Sequence, residues 1–223
     1  MVELPLFVQR LTLGPPARRF CEDLSFALAQ GQTAAIVGPS NSGKSSLLLC
    51  AAGQLKPAAG RVGIGPDADS ARPPGWREVG LGPIPVLAPL FDTLTVQEHL
   101  TFQARLYRVP AVRQRVADEL RRFDLEAAAR RRIKDLDAFT ALRAALAITC
   151  VHRPQFVLLD EPDQGLSVEQ WSQTTALLRK IAAEGVGVLY TTVDSAHAAA
   201  ADVVVDIAKG EVHRGEPVGR DSR

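Results

Sequence analysis

The sequence predicts an α/β fold in which a mostly parallel sheet carries helices on its faces. Short apolar runs, typical of buried strands, alternate along the chain with longer helical stretches, and this alternation is typical of parallel sheets. A wholly helical insert over 90–150 interrupts it. With 223 residues, 46% of them hydrophobic, the chain can form one domain with a sizeable core. We expect a single domain over 1–223, with a core of 1–89 and 151–223 around the insert.

The elements before the insert are predicted from apolar alternation and from the turn residues between them. Leu24, Phe26 and Leu28 alternate as in a half-buried strand, whereas 33–37 is a short apolar run that predicts a buried strand. Gly53 ends the helix that follows this run. The predicted strands are 2–13, 24–28, 33–37, 61–64 and 79–82, and the predicted helix is 45–52.

The insert and the segment after it are predicted from helical spacing and from further apolar runs. Val96, Leu100 and Ala104 lie four residues apart, as on one face of a helix. The predicted helices of the insert are 95–109, 111–123, 126–132 and 138–151. Beyond the insert we predict strands at 156–159, 186–192 and 203–207, a helix at 168–184 and a short alanine-rich helix before the last strand.

Composition and charge exclude several classes of protein. The 26 basic and 25 acidic residues give a net charge of +1, so the whole-molecule basic footprint of a nucleic-acid-binding protein is absent. No apolar stretch approaches the roughly 18 residues that a membrane span needs, and the N-terminus lacks the pattern of a signal peptide. Three cysteines without metal spacing fit a reduced, cytosolic setting. We expect no nucleic-acid partner.

A phosphate-binding motif lies between the apolar run 33–37 and the helix that follows it. The residues from Gly38 to Ser45 fit the pattern GxxxxGK(S/T), in which glycines allow a tight turn whose N–H groups surround an anion. The helix N-terminus adds positive potential, Lys44 reaches the β- and γ-phosphates, and Ser45 ligates Mg²⁺. The residues expected to bind the nucleotide are Gly38, Pro39, Ser40, Asn41, Ser42, Gly43, Lys44, Ser45 and Ser46.

Two carboxylates follow the apolar run 156–159. Because the carboxyl ends of parallel strands meet at one edge of a sheet, we expect Asp160 and Glu161 beside the phosphate-binding loop. There Asp160 would hold Mg²⁺ through water, with Ser45 as the other metal-ligating residue, and Glu161 would be the general base for the attacking water. Lys44 and Glu161 are the predicted catalytic residues, and ATP and Mg²⁺ the predicted cofactors. The alternative is two solvated acids at a strand end.

These motifs and the helical insert between them resemble the ATP-binding cassette family, the nucleotide-binding subunits of ABC transporters, over nearly the whole chain. Further likenesses are 55–62 (LKPAAGRV), 90–100 (LFDTLTVQEHL), 161–166 (EPDQGL) and 208–212 (AKGEV). The resemblance implies a P-loop NTPase (ABC ATPase) core with a mostly parallel sheet, an N-terminal antiparallel β subdomain and an inserted all-helical subdomain. It also implies membrane-spanning permease subunits as partners, a homodimer or heterodimer with a second cassette, and a cytoplasmic location, peripheral on the inner face of the cell membrane through those partners.

The signature segment departs from the family's pattern. Where the family has LSGGQ, residues 136–140 read LDAFT. The serine and glycines of that pattern bring a hydroxyl, bare N–H groups and a helix N-terminus to the γ-phosphate of the partner's nucleotide. Asp137 brings negative charge instead, and Phe139 adds bulk. We expect this segment to bind ATP poorly.

Three further positions also differ from the family's pattern. Val193 stands where the switch histidine is expected, Val86 where a glutamine is expected and Ser167 where an aspartate is expected. No aromatic residue stands near 13–16 to stack on adenine. His197 is an alternative to the missing histidine, although a histidine on a short surface helix is the simpler interpretation. Each lost transition-state contact costs about 10²–10³ in rate, so we expect a degenerate cassette whose hydrolysis is weak or depends on a partner cassette.

Basic residues are concentrated in the helical insert. Residues 105–132 contain nine arginines and four acids, a charge of +5 that leaves −4 on the remainder. In the family this lobe faces the membrane subunits, so its charge would meet acidic lipid headgroups or an acidic coupling loop. The alternative is that these residues form solvated helix faces with ion pairs four residues apart.

These features bear on three possible functions. We predict the ATP-binding subunit of an ABC transporter, which binds Mg-ATP and couples its binding or slow hydrolysis to membrane subunits. The alternative is a nucleotide-binding regulatory or scaffold protein with little ATPase turnover. A soluble ABC protein of DNA repair or translation is disfavoured, because the chain has one short cassette and no coiled-coil insert.

Overall fold

Two sheets and six α-helices make up the part of the chain that the structure, a computed structural model, describes: residues 4–17, 19–84 and 90–215. The strands are β1 (Leu6–Leu13), β2 (Cys21–Leu28), β3 (Thr33–Val37), β4 (Ala59–Ile64), β5 (Val79–Leu81), β6 (Phe156–Leu159), β7 (Gly187–Thr192), β8 (Val203–Asp206) and β9 (Glu211–Arg214). The helices are α1 (Lys44–Ala51), α2 (Val96–Leu106), α3 (Val112–Arg122), α4 (Ala138–Cys150), α5 (Val168–Ala183) and α6 (Ser195–Ala198). A short 3₁₀ helix covers Ile133–Asp135.

The larger sheet is mostly parallel. Its order is β5-β6-β7-β3-β8-β9; the first five strands run parallel, and β9 is antiparallel to β8. The smaller sheet, β2-β1-β4, is antiparallel and comes from the N-terminal part of the chain. These sheets and the inserted helices confirm the predicted fold class, an α/β core with an antiparallel N-terminal sheet.

The parallel register brings three strand ends to one edge of the larger sheet. Val37, the last residue of β3, is level with Thr192, the last residue of β7. Leu159, the last residue of β6, is level with Tyr190 of β7. The segments that follow β3 and β6 therefore leave the sheet on either side of the end of β7, where they lie close together.

The central strands β6, β7 and β3 of the larger sheet are buried on both faces, whereas the edge strand β9 is exposed. The residues of β6 show how this burial arises. Val157 and Leu159 pack into an apolar cluster shared with the helices after β5, whereas Phe156 and Leu158 pack into a second cluster shared with α1 and the smaller sheet. This alternation follows from the two-residue period of a strand. Burying one such side chain stabilises the fold by about 1.5–3 kcal/mol, which explains why this strand is apolar throughout.

The inserted helices α2, α3 and α4 pack against one another and are continuous with the first of these clusters. Leu100, Phe123 and Leu146, one from each part of the insert, lie in the same buried cluster as Val157. Helix α2 begins with a capping box, in which the Thr95 hydroxyl accepts a hydrogen bond from the N–H of residue 98 and the side chain there accepts one from the Thr95 N–H.

The predicted helix at 126–132 is wrong, because these residues form turns. The N–H groups of Val96 and Gln97 donate to the carbonyl oxygens of Arg131 and Ala129, at 3.1 and 3.0 Å. The first N–H groups of a helix have no acceptor within it, so helix α2 uses these carbonyls. A tertiary contact has overridden the helix propensity of an alanine- and arginine-rich run.

The other predicted elements are present, with bounds that differ by a few residues. Residues 2 and 3 of the first predicted strand lie outside the described residues. No helix in the described ranges is both long enough and apolar enough to cross a membrane.

Gly60 is a position in β4 that requires glycine. Its φ of +79° is left-handed, and a Cβ there would collide with the carbonyl oxygens of Gln9 and Arg10 in β1. Gly210 is also left-handed, at +69°, but has open space around it. We expect Gly210→Ala to cost about 1–2 kcal/mol from strain alone and Gly60→Ala to cost clearly more, as measured by urea unfolding. An equal decrease in the free energy of unfolding of the two variants would show that the backbone around Gly60 accommodates a Cβ without further cost.

Candidate functional site

The loop between β3 and α1 depends on two glycines. Gly43 precedes α1 with φ +93°, a left-handed conformation that favours glycine. A Cβ at Gly38 would lie 2.6 Å from Ile207 Cγ2, and one at Gly43 would lie 2.9 Å from the Cβ of Phe20. Helix α1 has no acidic residue in its first turn, so the positive potential of its N-terminus is not offset within the helix.

The side chain of Lys44 is folded back onto this loop. Lys44 is only 4% exposed, and its Nζ donates hydrogen bonds to the carbonyl oxygens of Gly38 and Pro39, both at 2.9 Å. The same Nζ lies 3.2 Å from Glu161 Oε1. Because burying an unpaired charge is costly, these three contacts hold the ammonium group and the loop in one arrangement.

Asp160 follows β6 and is held by two hydroxyl groups. Ser45 Oγ donates to its Oδ2 and Thr191 Oγ1 donates to its Oδ1, each at 2.8 Å. The Ser45 hydroxyl and the Asp160 carboxylate place two oxygen atoms side by side, and oxygen atoms are the ligands that Mg²⁺ prefers. The two residues predicted as metal ligands therefore fit this ion. In the described ranges, no group of three or more His, Cys, Asp or Glu is arranged to hold a metal.

Glu161 is positioned through its backbone as well as its side chain. It has a left-handed φ of +43°, and its N–H donates to Thr191 Oγ1 at 2.8 Å. The Thr191 hydroxyl therefore links Asp160 to Glu161, a role that the sequence reasoning missed. The strand register is the signal that would have found it, since Leu159 and Tyr190 are paired and the residues after them are neighbours.

A cavity of about 590 Å³ opens between this loop and the end of β6. Its volume lies within the roughly 300–1,000 Å³ that is typical of small-molecule sites. Both catalytic predictions, Lys44 and Glu161, line it, as does Asp160. Six of the nine predicted nucleotide-binding residues also line it: Ser40, Asn41, Gly43, Lys44, Ser45 and Ser46.

The other three predicted nucleotide-binding residues lie behind the cavity wall. The carbonyl oxygens of Gly38 and Pro39 accept the hydrogen bonds of Lys44. The hydroxyl of Ser42 is buried and has no hydrogen-bond partner in the part of the chain that is described. These residues therefore shape the loop from behind, while the other six face the open space.

Phe20 also lines this cavity, and the sequence reasoning missed it. No aromatic residue stands near 13–16, as the sequence shows, but the chain turns before β2 and brings Phe20 against Gly43. The expectation that the site lacks an aromatic residue is thus corrected. A wider search of the segment between β1 and β2 would have found it.

Known proteins share this arrangement of motifs and fold. The family model described as ABC transporter matches residues 21–164, which include the phosphate-binding loop and residues 160–161. The chain belongs to the ABC transporter family. The predicted family, drawn from the motifs, is therefore confirmed.

Curated relatives in this family are ATP-binding proteins of importers. The cobalt import ATP-binding protein CbiO of Rhodobacter capsulatus is 35% identical over 209 residues, which are 89% of this chain and 73% of the relative. The spermidine/putrescine import ATP-binding protein PotA of Thermobifida fusca is 29% identical over 197 residues, 86% of this chain and 51% of the relative. The chain thus spans about half the length of that PotA. These relatives confirm the prediction of an ABC transporter ATP-binding subunit and give no support to a regulatory or scaffold protein.

Solved structures of the ABC transporter family share the fold. The protein cbiO1 of Clostridium perfringens, part of the ABC transporter complex cbiONQ, has a TM-score of 0.78 and 24% identity, over 93% of this chain and 86% of that one. An ATP-binding subunit of an ABC transporter has a TM-score of 0.74 and 23% identity, over 94% and 89% of the two chains.

The segment 136–140, predicted from the sequence to stand in place of the family's signature, caps its own helix. Asp137 precedes α4, and its carboxylate accepts hydrogen bonds from the N–H and the hydroxyl of Thr140, at 2.9 and 2.7 Å. These bonds, the backbone one foremost, hold the pKa of Asp137 below its ordinary value. The guanidinium of Arg143 lies 5.1 Å from the ring centroid of Phe139. A carboxylate thus already occupies the N-terminal end of α4.

Val193, which the sequence analysis predicts at the position of the switch histidine, has an exposed side chain. His197 lies on α6, and its Nδ1 is 2.7 Å from Oδ2 of Asp163, an oxygen that also accepts a hydrogen bond from the Thr192 hydroxyl at 2.5 Å. Trp171 packs against the histidine ring, with centroids 4.9 Å apart. His197 is therefore held by Asp163 and is not among the residues lining the cavity.

Ser167 and Val86 are the two other positions at which we expect a departure from the family's pattern, and the structure describes only the first of them. Ser167 caps α5, since its hydroxyl accepts a hydrogen bond from the Gln170 N–H at 3.2 Å. The position of the glutamine, Val86, lies outside the described residues.

Replacing Asp137 tests the cap on α4. Asp137→Ala should lower the free energy of unfolding by about 1 kcal/mol, whereas Asp137→Asn, which keeps a capping oxygen, should cost less. The folded-state pKa of Asp137 is lowered, so the carboxylate's contribution is present above its unfolded pKa of about 3.9 and is lost as the pH falls through the folded pKa. Urea unfolding should show that the difference in free energy of unfolding between the wild type and Asp137→Asn decreases as the pH falls. A difference that stays constant with pH would contradict a charged cap.

Proposed function

We propose that the chain binds Mg-ATP in this cavity and, as a subunit of an ABC transporter, couples ATP binding or slow hydrolysis to membrane subunits. The observation that supports this most is the convergence of Lys44, Ser45, Asp160 and Glu161 at the N-terminus of α1. In this proposal residues 1–89 and 151–223 form the ATPase core, and 90–150 form the helical lobe.

The phosphates lie against the loop in this proposal, because two kinds of group there favour an anion. The N–H groups in the first turn of α1 have no acceptor within the helix, and Lys44 supplies a full positive charge. The adenine would pack on Phe20, the aromatic side chain that lines the same cavity.

The catalytic roles follow from the same contacts. Mg²⁺, when bound, would neutralise the charge that develops on the phosphate oxygens; Ser45 and Asp160 are the residues that would hold it. Without nucleotide, Glu161 is the counter-ion of Lys44. A phosphate that takes this place beside Lys44 releases Glu161 to orient a water molecule and accept its proton.

Hydrolysis by this chain alone should be slow, since two kinds of contact are missing. Val193 has no group that can donate a hydrogen bond to the γ-phosphate. Asp137 fills the helix end that the family's signature presents to a partner's nucleotide. Of the two dimers that the sequence leaves open, these features favour a heterodimer in which a second cassette with an intact signature completes this chain's site.

The helical lobe is the proposed contact with the membrane subunits. Phe91, Phe102 and Leu106 are each about half exposed, which is unusual for such large apolar side chains. Phe91 and Phe102 pack edge to face with centroids 5.7 Å apart, so together they form one patch. Docking there would place the chain on the inner face of the membrane through its partners. The basic arginines of the insert would then face an acidic loop or lipid headgroups.

Lys44→Ala tests nucleotide binding. ATP with Mg²⁺ should stabilise the wild type by about 2.7 kcal/mol at a concentration of about 100 times the dissociation constant. The variant should lose this stabilisation, because the charge that faces the phosphates is gone. Lys56→Ala removes an exposed lysine of the same charge and serves as the control. Undiminished thermal stabilisation in the Lys44 variant would mean that the loop is not the phosphate site.

Glu161→Gln separates binding from hydrolysis. Steady-state assays should show wild-type turnover below about 1 s⁻¹, a turnover that vanishes in Glu161→Gln while ATP-induced stabilisation persists. Glu126→Gln, at an exposed position of the insert, is the matched control. Faster turnover that disappears in Glu161→Gln would show that the missing family groups do not matter. Equal turnover in both variants would remove Glu161 from the mechanism.

A further inference from the structure

A second cavity, of about 240 Å³, lies where the turn before β5, the end of α2 and the turn between α4 and β6 meet. We call it the arginine cavity, because four arginine side chains line it and no acidic side chain among the described residues does. It shares no lining residue with the nucleotide cavity. The four residues are Arg77, Arg108, Arg115 and Arg153.

The positive charge of the arginine cavity is only partly balanced. Arg115 forms an ion pair with Glu119 at 3.5 Å. Arg77 donates to the carbonyl oxygen of Tyr107 and lies 4.9 Å from the ring centroid of Trp76. The side chains of Arg108 and Arg153 form no hydrogen bond or ion pair with any residue that the structure describes. Two of the four arginines that line the cavity, both exposed, therefore have no counter-charge in the described part of the chain.

Arg108 and Arg153 also share a left-handed backbone conformation. Arg108 follows the end of α2 with φ +52°, and Arg153 follows the end of α4 with φ +57°. Glycine is the usual residue at a left-handed helix end, because any side chain there is strained. Both arginines line the same cavity, and a glycine would adopt either backbone conformation without strain.

His152 lines the same cavity, and its two ring nitrogens are buried. Its ring stacks on Tyr107 with centroids 3.8 Å apart, and both of its ring nitrogens are buried without a hydrogen-bond partner within the described ranges. Burial, and then the charge of Arg77, lower its pKa to about 4. The ring is therefore neutral near pH 7, with one nitrogen able to donate a hydrogen bond and the other able to accept one.

We propose that the arginine cavity binds a phosphate group, either free inorganic phosphate or the headgroup of an anionic phospholipid. Guanidinium groups recognise phosphate oxygens through paired hydrogen bonds, and an uncompensated cluster of them favours an anion that carries more than one charge. The volume lies below the range of about 300 Å³ and more that is typical of drug-sized ligands. A single phosphate group fits better than a second nucleotide.

The neutral His152 makes binding observable by NMR. The chain has four histidines, so its imidazole spectrum is simple, and His152→Gln identifies the signals of that ring. We expect inorganic phosphate, but not sodium chloride at equal ionic strength, to shift these signals in a saturable way. The full-length Lys44→Ala variant should respond as the wild type does, which separates this response from binding at the phosphate loop.

Glycine substitutions remove the two arginines of the cavity that have no counter-charge, Arg108 and Arg153, and suit the backbone at both positions. Arg108→Gly and Arg153→Gly place the preferred residue at each left-handed position, so the double variant should fold at least as well as the wild type. We expect it to bind phosphate at least about tenfold more weakly, because two charge-assisted contacts are lost. Arg130→Gln with Arg214→Gln removes the same charge at exposed sites and should leave binding unchanged. An equal response in the glycine variant would overturn the proposal.

A lipid arm distinguishes the two sources of phosphate. A lipid headgroup would be identified if the protein co-sediments with phosphatidylglycerol vesicles but not with phosphatidylcholine vesicles. This co-sedimentation should be lost in the glycine variant and kept in the Arg130 and Arg214 variant. A saturable shift with inorganic phosphate would identify the free anion. The absence of both responses, or responses equal in all variants, would overturn the proposal.

Discussion

The buried ammonium group of Lys44 is the contact on which the nucleotide site depends. It lies where the loop after β3, the start of α1 and the end of β6 come together, and two loop carbonyls and Glu161 surround it. Because an ammonium group cannot remain charged in such a place without partners, the contacts that neutralise it also fix the loop. A phosphate can take over one of these contacts, so the loop is arranged for an anion before one binds.

The parallel sheet supplies the second half of this arrangement. The strand register sets Asp160 beside Thr191, and the hydroxyl of Thr191 links the two acidic residues, one through its carboxylate and the other through its N–H. Ser45, on the opposite side, reaches Asp160 from α1. The acids are thus held by hydroxyl groups from two different elements, and their positions depend on packing across the edge of the sheet.

The ends of two helices differ in a way that affects how the chain works with partners. The N-terminus of α1 has no acid in its first turn and remains open to a phosphate. The N-terminus of α4 is closed by Asp137, whose carboxylate is bound to Thr140. Because a carboxylate already meets the positive potential of the α4 end, the function proposed above assigns this chain's own nucleotide to α1 and gives α4 little part in a partner's site. The arginine cavity is a further place where positive charge is concentrated, and there we propose a phosphate group as the ligand.

The sequence by itself determined the strand–helix alternation, the phosphate-binding loop and the two acids after β6, because each rests on local signals: apolar runs, glycine spacing and a single strand end. It did not predict the turns at 126–132, whose carbonyl oxygens accept hydrogen bonds from the first N–H groups of α2 and do not form a helix of their own. Phe20, Thr191 and the pairing of His197 with Asp163 were decided only by the tertiary structure. These contacts join segments far apart in the chain or across a turn, and chain packing alone determines which groups meet.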